Sequence, residues 1–218
     1  MLPTFKNPML LSQALTHRSA VNEQAGTTSN ERLEFLGDAV LELATTMFLY
    51  KKLPDAPEGL LTSFRSSLVK KQMLAKVAKD LGVGDLLKMS HGEELMGGRQ
   101  NPALLENTFE ALIGALFEDQ GFDACYQFLD KELFIHFDEI NEKNLHRDHK
   151  SVLQEEVQAE GKPTPVYETL ESIGPDHSKT FTVAVLVGNE RLGTGTGKSK
   201  QEASQVAAKD ALEKMSQS

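Results

Sequence analysis

The sequence contains a single cysteine, Cys125, among 218 residues. One cysteine cannot form a disulfide within the chain, which excludes a disulfide-stabilised scaffold and favours a reducing compartment. The simplest interpretation of Cys125 is a small apolar residue of a packed core. The chain is long enough to bury one large core or two smaller ones without covalent support.

Long apolar runs are also missing. No apolar stretch reaches the roughly 18 residues that a membrane-spanning helix needs. The N-terminal segment MLPTFKNPMLLSQALTHRS lacks the basic region and apolar run of a secretory signal. The sequence therefore predicts a cytoplasmic protein that makes no membrane contact.

An excess of positive charge is absent as well. The chain has 23 Lys and Arg against 32 Asp and Glu, a formal net charge of −9. Residues 148–218 alone carry 8 basic and 11 acidic side chains. A protein that bound phosphate groups over its whole surface would show the opposite sign, so any contact with nucleic acid must come from local basic patches.

Two kinds of pattern divide the chain. Residues 1–140 show apolar positions at spacings of three and four, which predicts an all-α domain interrupted by LGVGD (81–85), HGEELMGGRQNP (91–102) and similar breaks. The polar residues 141–147 are predicted to be a linker. Residues 148–218 predict a small α+β domain of order α-β-β-β-α, in which Gly174 and Pro175 turn the chain between the first two strands.

Three acidic residues define one stripe of a predicted helix. Glu31, Glu34 and Asp38 lie at positions i, i+3 and i+7 among leucine, phenylalanine and valine. Carboxylates stacked in this way repel one another unless a cation lies among them, and a hard divalent metal takes oxygen ligands. A solvated acidic face is the alternative interpretation of the stripe.

This predicted helix has candidate capping residues at its start and a position without a side chain on its surface. Thr28 or Asn30 can cap the helix, and Glu31 is positioned for a capping box with Thr28. Gly37 leaves room for a second helix to approach closely.

The best candidate for that second helix follows residue 101. Asn107 and Glu110 lie at i and i+3, and Gly114 continues their stripe. Apolar residues surround them on nearly all sides, which predicts a buried helix. A buried glutamate is rarely left unpaired, so Glu110 is expected to join the first acidic stripe and its metal.

These segments resemble the ribonuclease III family. The segment ERLEFLGDAVL (31–41) is similar to the family's signature, and the other landmarks follow in the family's order. They are ALTHRS (14–19), EGLLTSFRSSLV (58–69), HGEELMGGR (91–99) and NTFEALIGAL (107–116). The resemblance implies a homodimeric endonuclease that cuts double-stranded RNA, leaves 5′-phosphates and short 3′ overhangs, and processes ribosomal and other structured RNA precursors.

The resemblance also implies roles for individual residues. The metal ligands would be Glu34, Asp38, Asn107 and Glu110, and the catalytic residues among them Asp38 and Glu110. Glu31 and Glu58 match further acidic positions with supporting roles in metal or RNA binding and in the dimer. The implied cofactor is Mg²⁺, with Mn²⁺ able to substitute.

Asn107 departs from the family, which usually has aspartate there. An amide oxygen still coordinates magnesium, but the site loses one negative charge and its metal affinity should fall. The alternative is a non-catalytic protein that binds double-stranded RNA on a degenerate nuclease domain. A more remote alternative is an unrelated helical metalloenzyme that acts on a small phosphate ester.

The C-terminal segments resemble a double-stranded RNA-binding domain, through VLQEEVQ (152–158), GPDHSKTF (174–181) and GTGKSKQEASQVAAKDAL (195–212). The resemblance implies minor-groove contacts and phosphate contacts of A-form RNA. The minor-groove residues would be Gln154, Glu155 and His177, and the phosphate-binding residues Lys198 and Lys200. Because Lys200 is followed by Gln201 and Glu202, we expect weak, salt-sensitive binding.

Overall fold

The computed structural model describes residues 2–21, 23, 27–142, 144, 148–175 and 179–216. It divides into two compact units, Met1–His146 and Arg147–Ser218, which we call the helical unit and the α+β unit. In the parts described, no helix is both long and apolar enough to cross a membrane.

The helical unit confirms the predicted all-α fold. Its first five helices are α1 Pro8–Ala14, α2 Arg18–Val21, α3 Glu31–Lys52, α4 Glu58–Leu68 and α5 Lys71–Asp80. The others are α6 Val83–Leu86, α7 His91–Leu95, α8 Pro102–Gln120, α9 Phe122–Glu132 and α10 Phe137–Glu142, with short 3₁₀ turns at 98–100 and 134–136. Helix α7 lies inside a segment predicted as a break, and α6 overlaps another. Helix α7 forms because Ser90 caps it by accepting a hydrogen bond from the backbone of Glu93 at 3.2 Å.

The start of α3 differs from the predicted capping box. Asn30 is the N-cap residue, but its side chain makes no capping hydrogen bond. It is buried and donates instead to the carbonyl of Ala14 at 3.2 Å. Glu31 accepts a hydrogen bond from the Ser29 hydroxyl at 2.9 Å. The polar residues at this end therefore tie α3 to α1, in place of a Thr28 capping box.

Helices α3 and α8 cross at two glycines in the core of the helical unit. A Cβ atom on Gly37 would collide with the carbonyl group of Glu110, and one on Gly114 would collide with the carbonyl of Leu33. The two backbones therefore touch, which confirms the predicted close approach of a second helix at Gly37. Cys125 packs in the same core, fully buried, with its thiol 3.5 Å from the Ile113 carbonyl.

The α+β unit confirms the predicted α-β-β-β-α order. Its elements are α11 His149–Ala159, β1 Val166–Ile173, β2 Thr180–Val187, β3 Glu190–Gly197 and α12 Lys200–Met215. The sheet is antiparallel in the order β1-β2-β3. Alternate glycines of β3 lie against alanines of α12, so closely that a Cβ on Gly195 would collide with the backbone of Ala203 and Ala207.

Candidate functional site

The crossing of α3 and α8 gathers acidic residues from two helices. Gly37 directly precedes Asp38 and lies against the backbone of Glu110. Asn107, one turn before Glu110, donates a side-chain hydrogen bond to Glu34 on the other helix. We call Glu34, Asp38, Asn107 and Glu110 the crossing cluster. The structure thus brings together the four residues that the sequence placed on separate helices.

Negative charge accumulates around Glu110. Burial is the largest cause that raises the pKa of Glu110 to about 8. Repulsion adds to it, from carboxylates in the order Asp38, Glu106, Glu34 and Glu42. At neutral pH Glu110 therefore retains a proton in the protein alone, and a cation bound among these groups would displace that proton.

Glu34 responds to the same surroundings. Its pKa is raised by burial first, and then by the charges of Glu31 and Glu106. Arg18 and the hydrogen bond from Asn107 act in the opposite direction and favour the ionised carboxylate. An aspartate at position 107, when ionised, has no proton to donate in this way. Asn107 therefore stabilises the charge of Glu34 through a contact that the family's usual residue does not make.

Two acidic residues beside the crossing cluster were missed by sequence reasoning. Glu106 is 18% exposed and pairs with Lys71 of α5 at 3.4 Å, and Glu42 pairs with Arg65 of α4 at 3.1 Å. Both raise the pKa of Glu110. The spacing of Glu106 four residues before Glu110 is a signal that would have identified it.

The two predicted supporting residues lie in different places. Glu31 is exposed at the start of α3, 3.8 Å from Arg18, and its charge acts on Glu34. Glu58 begins α4 and lines a separate cleft with Tyr50 and Arg65. Within one chain the structure therefore places Glu31 beside the crossing cluster and Glu58 at a distinct surface.

The predicted RNA-binding residues lie on two helices of the α+β unit. Gln154 and Glu155 are exposed in the middle of α11, and Lys198 and Lys200 are exposed at the start of α12. His177 lies outside the described residues. The start of α12 is well defined, because Ser199 accepts a hydrogen bond from the backbone of Glu202 at 3.1 Å.

Comparisons with known proteins agree with this arrangement. A Ribonuclease-III-like family model matches residues 7–137, and a model of the double-stranded RNA binding motif matches residues 149–215. The chain is 49% identical over 212 residues to Ribonuclease 3 of Geobacillus kaustophilus, an alignment that covers 96% of this chain and 86% of the relative. The chain belongs to the ribonuclease III family.

Other members of the family extend the comparison. Ribonuclease 3 of Bdellovibrio bacteriovorus is 44% identical over 96% of this chain and 90% of its own length. The crystal structure of the ribonuclease III nuclease domain of Campylobacter jejuni matches with a TM-score of 0.57 and 39% identity, and covers 62% of this chain and 88% of that domain. The α+β unit is accordingly the double-stranded RNA-binding domain of a ribonuclease III protein.

Ribonuclease III chemistry implies a divalent metal, and the crossing cluster has suitable donors. Three carboxylates and one amide oxygen are ligands that a hard cation prefers. The Asn107 amide donates through its nitrogen to Glu34 and leaves its oxygen for another partner. Among the described residues, no three His, Cys, Asp or Glu side chains already converge on one ion position. The donor chemistry fits a metal, whereas a closed set of three such ligands is not preformed.

Proposed function

We propose that this ribonuclease III protein cleaves double-stranded RNA by metal-dependent phosphodiester hydrolysis in the crossing cluster. The observation that carries the proposal is the charge around Glu110, a half-buried position where desolvation, and then carboxylates from two helices, raise the pKa of that residue to about 8. Such accumulated charge is costly unless a cation neutralises it.

Each residue of the crossing cluster has its own proposed role in cleavage. The four side chains would hold Mg²⁺, or Mn²⁺ in its place, and the bound ion would act as a Lewis acid that lowers the pKa of a water molecule. Asn107 orients Glu34 across the helix crossing. Asp38 is exposed, where the RNA backbone can approach, and Glu110 would release its proton when a cation binds. The products would carry 5′-phosphates and short 3′ overhangs.

The RNA-binding domain holds the duplex by shape and charge. Gln154 and Glu155 present polar groups to the 2′-hydroxyls of a minor groove, while Lys198 and Lys200 meet the phosphates of the neighbouring major groove. We include His177 in the first set on the family resemblance alone. The physiological substrates we propose are ribosomal and other structured RNA precursors in the cytoplasm.

Cutting both strands requires two centres, and one face of the helical unit suits a homodimer. Phe35, which follows Glu34 in α3, is 82% exposed, and Leu43 of the same helix is also exposed. Phe35 borders an apolar cleft of about 640 Å³ that Leu33 and Leu36 also line. Structural flexibility has been described in the region involved in dimer formation of the Campylobacter jejuni ribonuclease III nuclease domain. A twofold dimer through Phe35 would bury this surface in our protein.

The test is cleavage of a long RNA duplex with and without Mg²⁺, combined with sedimentation at micromolar concentration. We expect cleavage only with metal, and a dimer that the Phe35→Ala variant weakens. A fully active monomer would contradict the dimer. Absence of cleavage at every Mg²⁺ and Mn²⁺ concentration would favour the second candidate, a non-catalytic RNA-binding protein, for which Asn107 is the specific observation.

A further inference from the structure

The RNA-binding domain contains a polar pocket that one of the predicted RNA-contacting residues lines. Its volume is about 260 Å³, and it is lined by parts of α11, the start of β1 and α12. Gln154 of the predicted minor-groove set lines it from α11. Gln201, the neighbour of Lys200, lines it from α12. The pocket therefore adjoins one predicted minor-groove residue and the residue that follows a predicted phosphate-binding lysine.

Lys150 contributes a positive charge to this pocket. Its ammonium nitrogen lies 4.6 Å from the centroid of the Tyr167 ring, which holds the side chain over the pocket. Within the part of the chain that the structure describes, Lys150 makes no ion pair. Two lysines near the end of α12 do form ion pairs, because Lys209 pairs with Glu213 and Lys214 pairs with Asp210.

The acidic residue of the pocket is already engaged. Asp148 accepts a hydrogen bond from Gln205 at 2.6 Å through one carboxylate oxygen and from Ser151 at 2.9 Å through the other. The floor of the pocket is polar, since the Tyr167 hydroxyl and the Gln205 side-chain oxygen are buried and have no hydrogen-bond partner among the described residues. The pocket is therefore polar and suited to water, and Lys150 supplies the positive charge among the residues that line it.

We propose that Lys150 is a phosphate-contacting residue of the RNA-binding surface and joins Lys198 and Lys200 in binding the backbone of duplex RNA. The inference rests on the proposed RNA-binding function and deepens it. Residues 148–218 carry more acidic than basic side chains, so RNA affinity depends on the few lysines whose charge is not paired. Lys150 and Lys200 are exposed or half-buried, and neither makes an ion pair with a described residue.

The experiment measures the affinity of the full chain for duplex RNA, without divalent metal so that no cleavage occurs, between about 50 and 200 mM salt. Removing one phosphate contact lowers the slope of log K against log salt by about 1. We expect Lys150→Ala to show this loss with a several-fold weaker affinity. Lys214→Ala, which removes the same charge about 21 Å along α12 from Lys200, should leave the slope unchanged.

Two further variants separate charge from packing. Lys150→Arg retains the charge and should keep the wild-type slope, and Gln201→Lys in the Lys150→Ala background places a new cation on the same pocket and should restore it. An unchanged slope in Lys150→Ala, or equal losses in Lys150→Arg and Lys150→Ala, would overturn the proposal for Lys150. If the wild-type chain does not bind duplex RNA at low salt, the proposed RNA-binding function fails instead.

Discussion

Both units of this protein bring backbones into contact through glycine, but with different consequences for function. In the helical unit, Gly37 and Gly114 let α3 touch α8, and the same crossing carries Glu34 and Glu110. In the α+β unit, Gly195 lets β3 touch α12 beneath the sheet, and the exposed lysines lie at the end of that helix. In the helical unit, the glycine contact and the acidic residues of the crossing cluster lie at the same crossing. In the α+β unit, the glycine contact and the exposed lysines are separated. Substitutions should therefore act differently in the two.

The largest effect is expected for Glu110→Gln, which removes a carboxylate of the crossing cluster without changing the volume of the side chain. A metal site supplies several kcal/mol of transition-state stabilisation, so cleavage should fall by about 10³-fold or more. Duplex binding, which belongs to the other unit, should stay nearly unchanged. Single-turnover cleavage and RNA affinity are measured with Glu142→Gln, an exposed position on α10, as the control. Wild-type turnover in Glu110→Gln would mean that the active site lies elsewhere.

Gly114→Ala tests whether stability and cleavage both depend on the crossing of α3 and α8. Its methyl group would collide with the carbonyl of Leu33, so α3 and α8 must move apart. Overpacking costs about 1–3 kcal/mol, and a displacement of about 1 Å can reduce catalysis by roughly 10²-fold. Thermal unfolding and the maximal cleavage rate should fall together. Gly59→Ala is the matched control, because a Cβ there meets no atom within 4 Å. A Gly114→Ala variant that is both stable and fully active would show that the α3–α8 crossing does not set the geometry of the active site.

Gly195→Ala applies the same change to the second unit. The added methyl collides with the backbone of Ala203 and Ala207, and the RNA-binding domain should lose about 1–3 kcal/mol of stability. RNA affinity should fall, but cleavage at saturating RNA and low salt should continue. The two readouts are separated by titrating RNA in the cleavage assay. Loss of the maximal rate without loss of affinity would contradict the separation between packing and chemistry.

The pH dependence of stability tests the role of Glu110 in the helical unit. The folded-state pKa of Glu110 is about 8 against an ordinary value of 4.5. A raised carboxyl pKa contributes stability at low pH that is lost as pH rises through the folded value. The metal-free protein should therefore lose stability between about pH 5 and 8, and Glu110→Gln should lack this dependence. Mg²⁺ affinity should show the opposite trend and rise with pH up to about 8, because the ion competes with the proton. Thermal melting with and without Mg²⁺ across this range measures both.

Much of the crossing cluster could be predicted from sequence, because residues three, four or seven positions apart lie on the same face of a helix. Glu34 and Asp38 share a stripe, and Gly37 marks where another helix approaches. Glu106 lies four residues before Glu110, a spacing that predicts a shared face of α8. The pairing of Glu106 with Lys71 depends on how α5 packs against α8, which no local spacing reveals.

In the α+β unit the order of elements could be predicted, but not the pocket. Alternation indicates strands, and alanine at spacings of three and four indicates a packed helix. The approach of Lys150 to Tyr167 joins the start of α11 to the start of β1, a tertiary contact across the intervening turn. Asn30, one of the two predicted caps, is the N-cap residue of α3, but its side chain donates to the carbonyl of Ala14 and makes no capping bond to its own helix.

The smallest expected effect belongs to Asn107→Asp, which restores the carboxylate that the family usually has. Added ligand charge strengthens a hard-cation site, so the Mg²⁺ concentration for half-maximal cleavage should fall several-fold, while the maximal rate changes little because saturation compensates for weaker affinity. The variant also loses the hydrogen bond that Asn107 donates to Glu34. The metal-free protein should therefore be less stable than wild type, and Mg²⁺ should raise its melting temperature by more. Identical metal responses in both proteins would show that Asn107 is not a ligand. Activity that appears only in Asn107→Asp would mean that the natural chain is the non-catalytic binding protein.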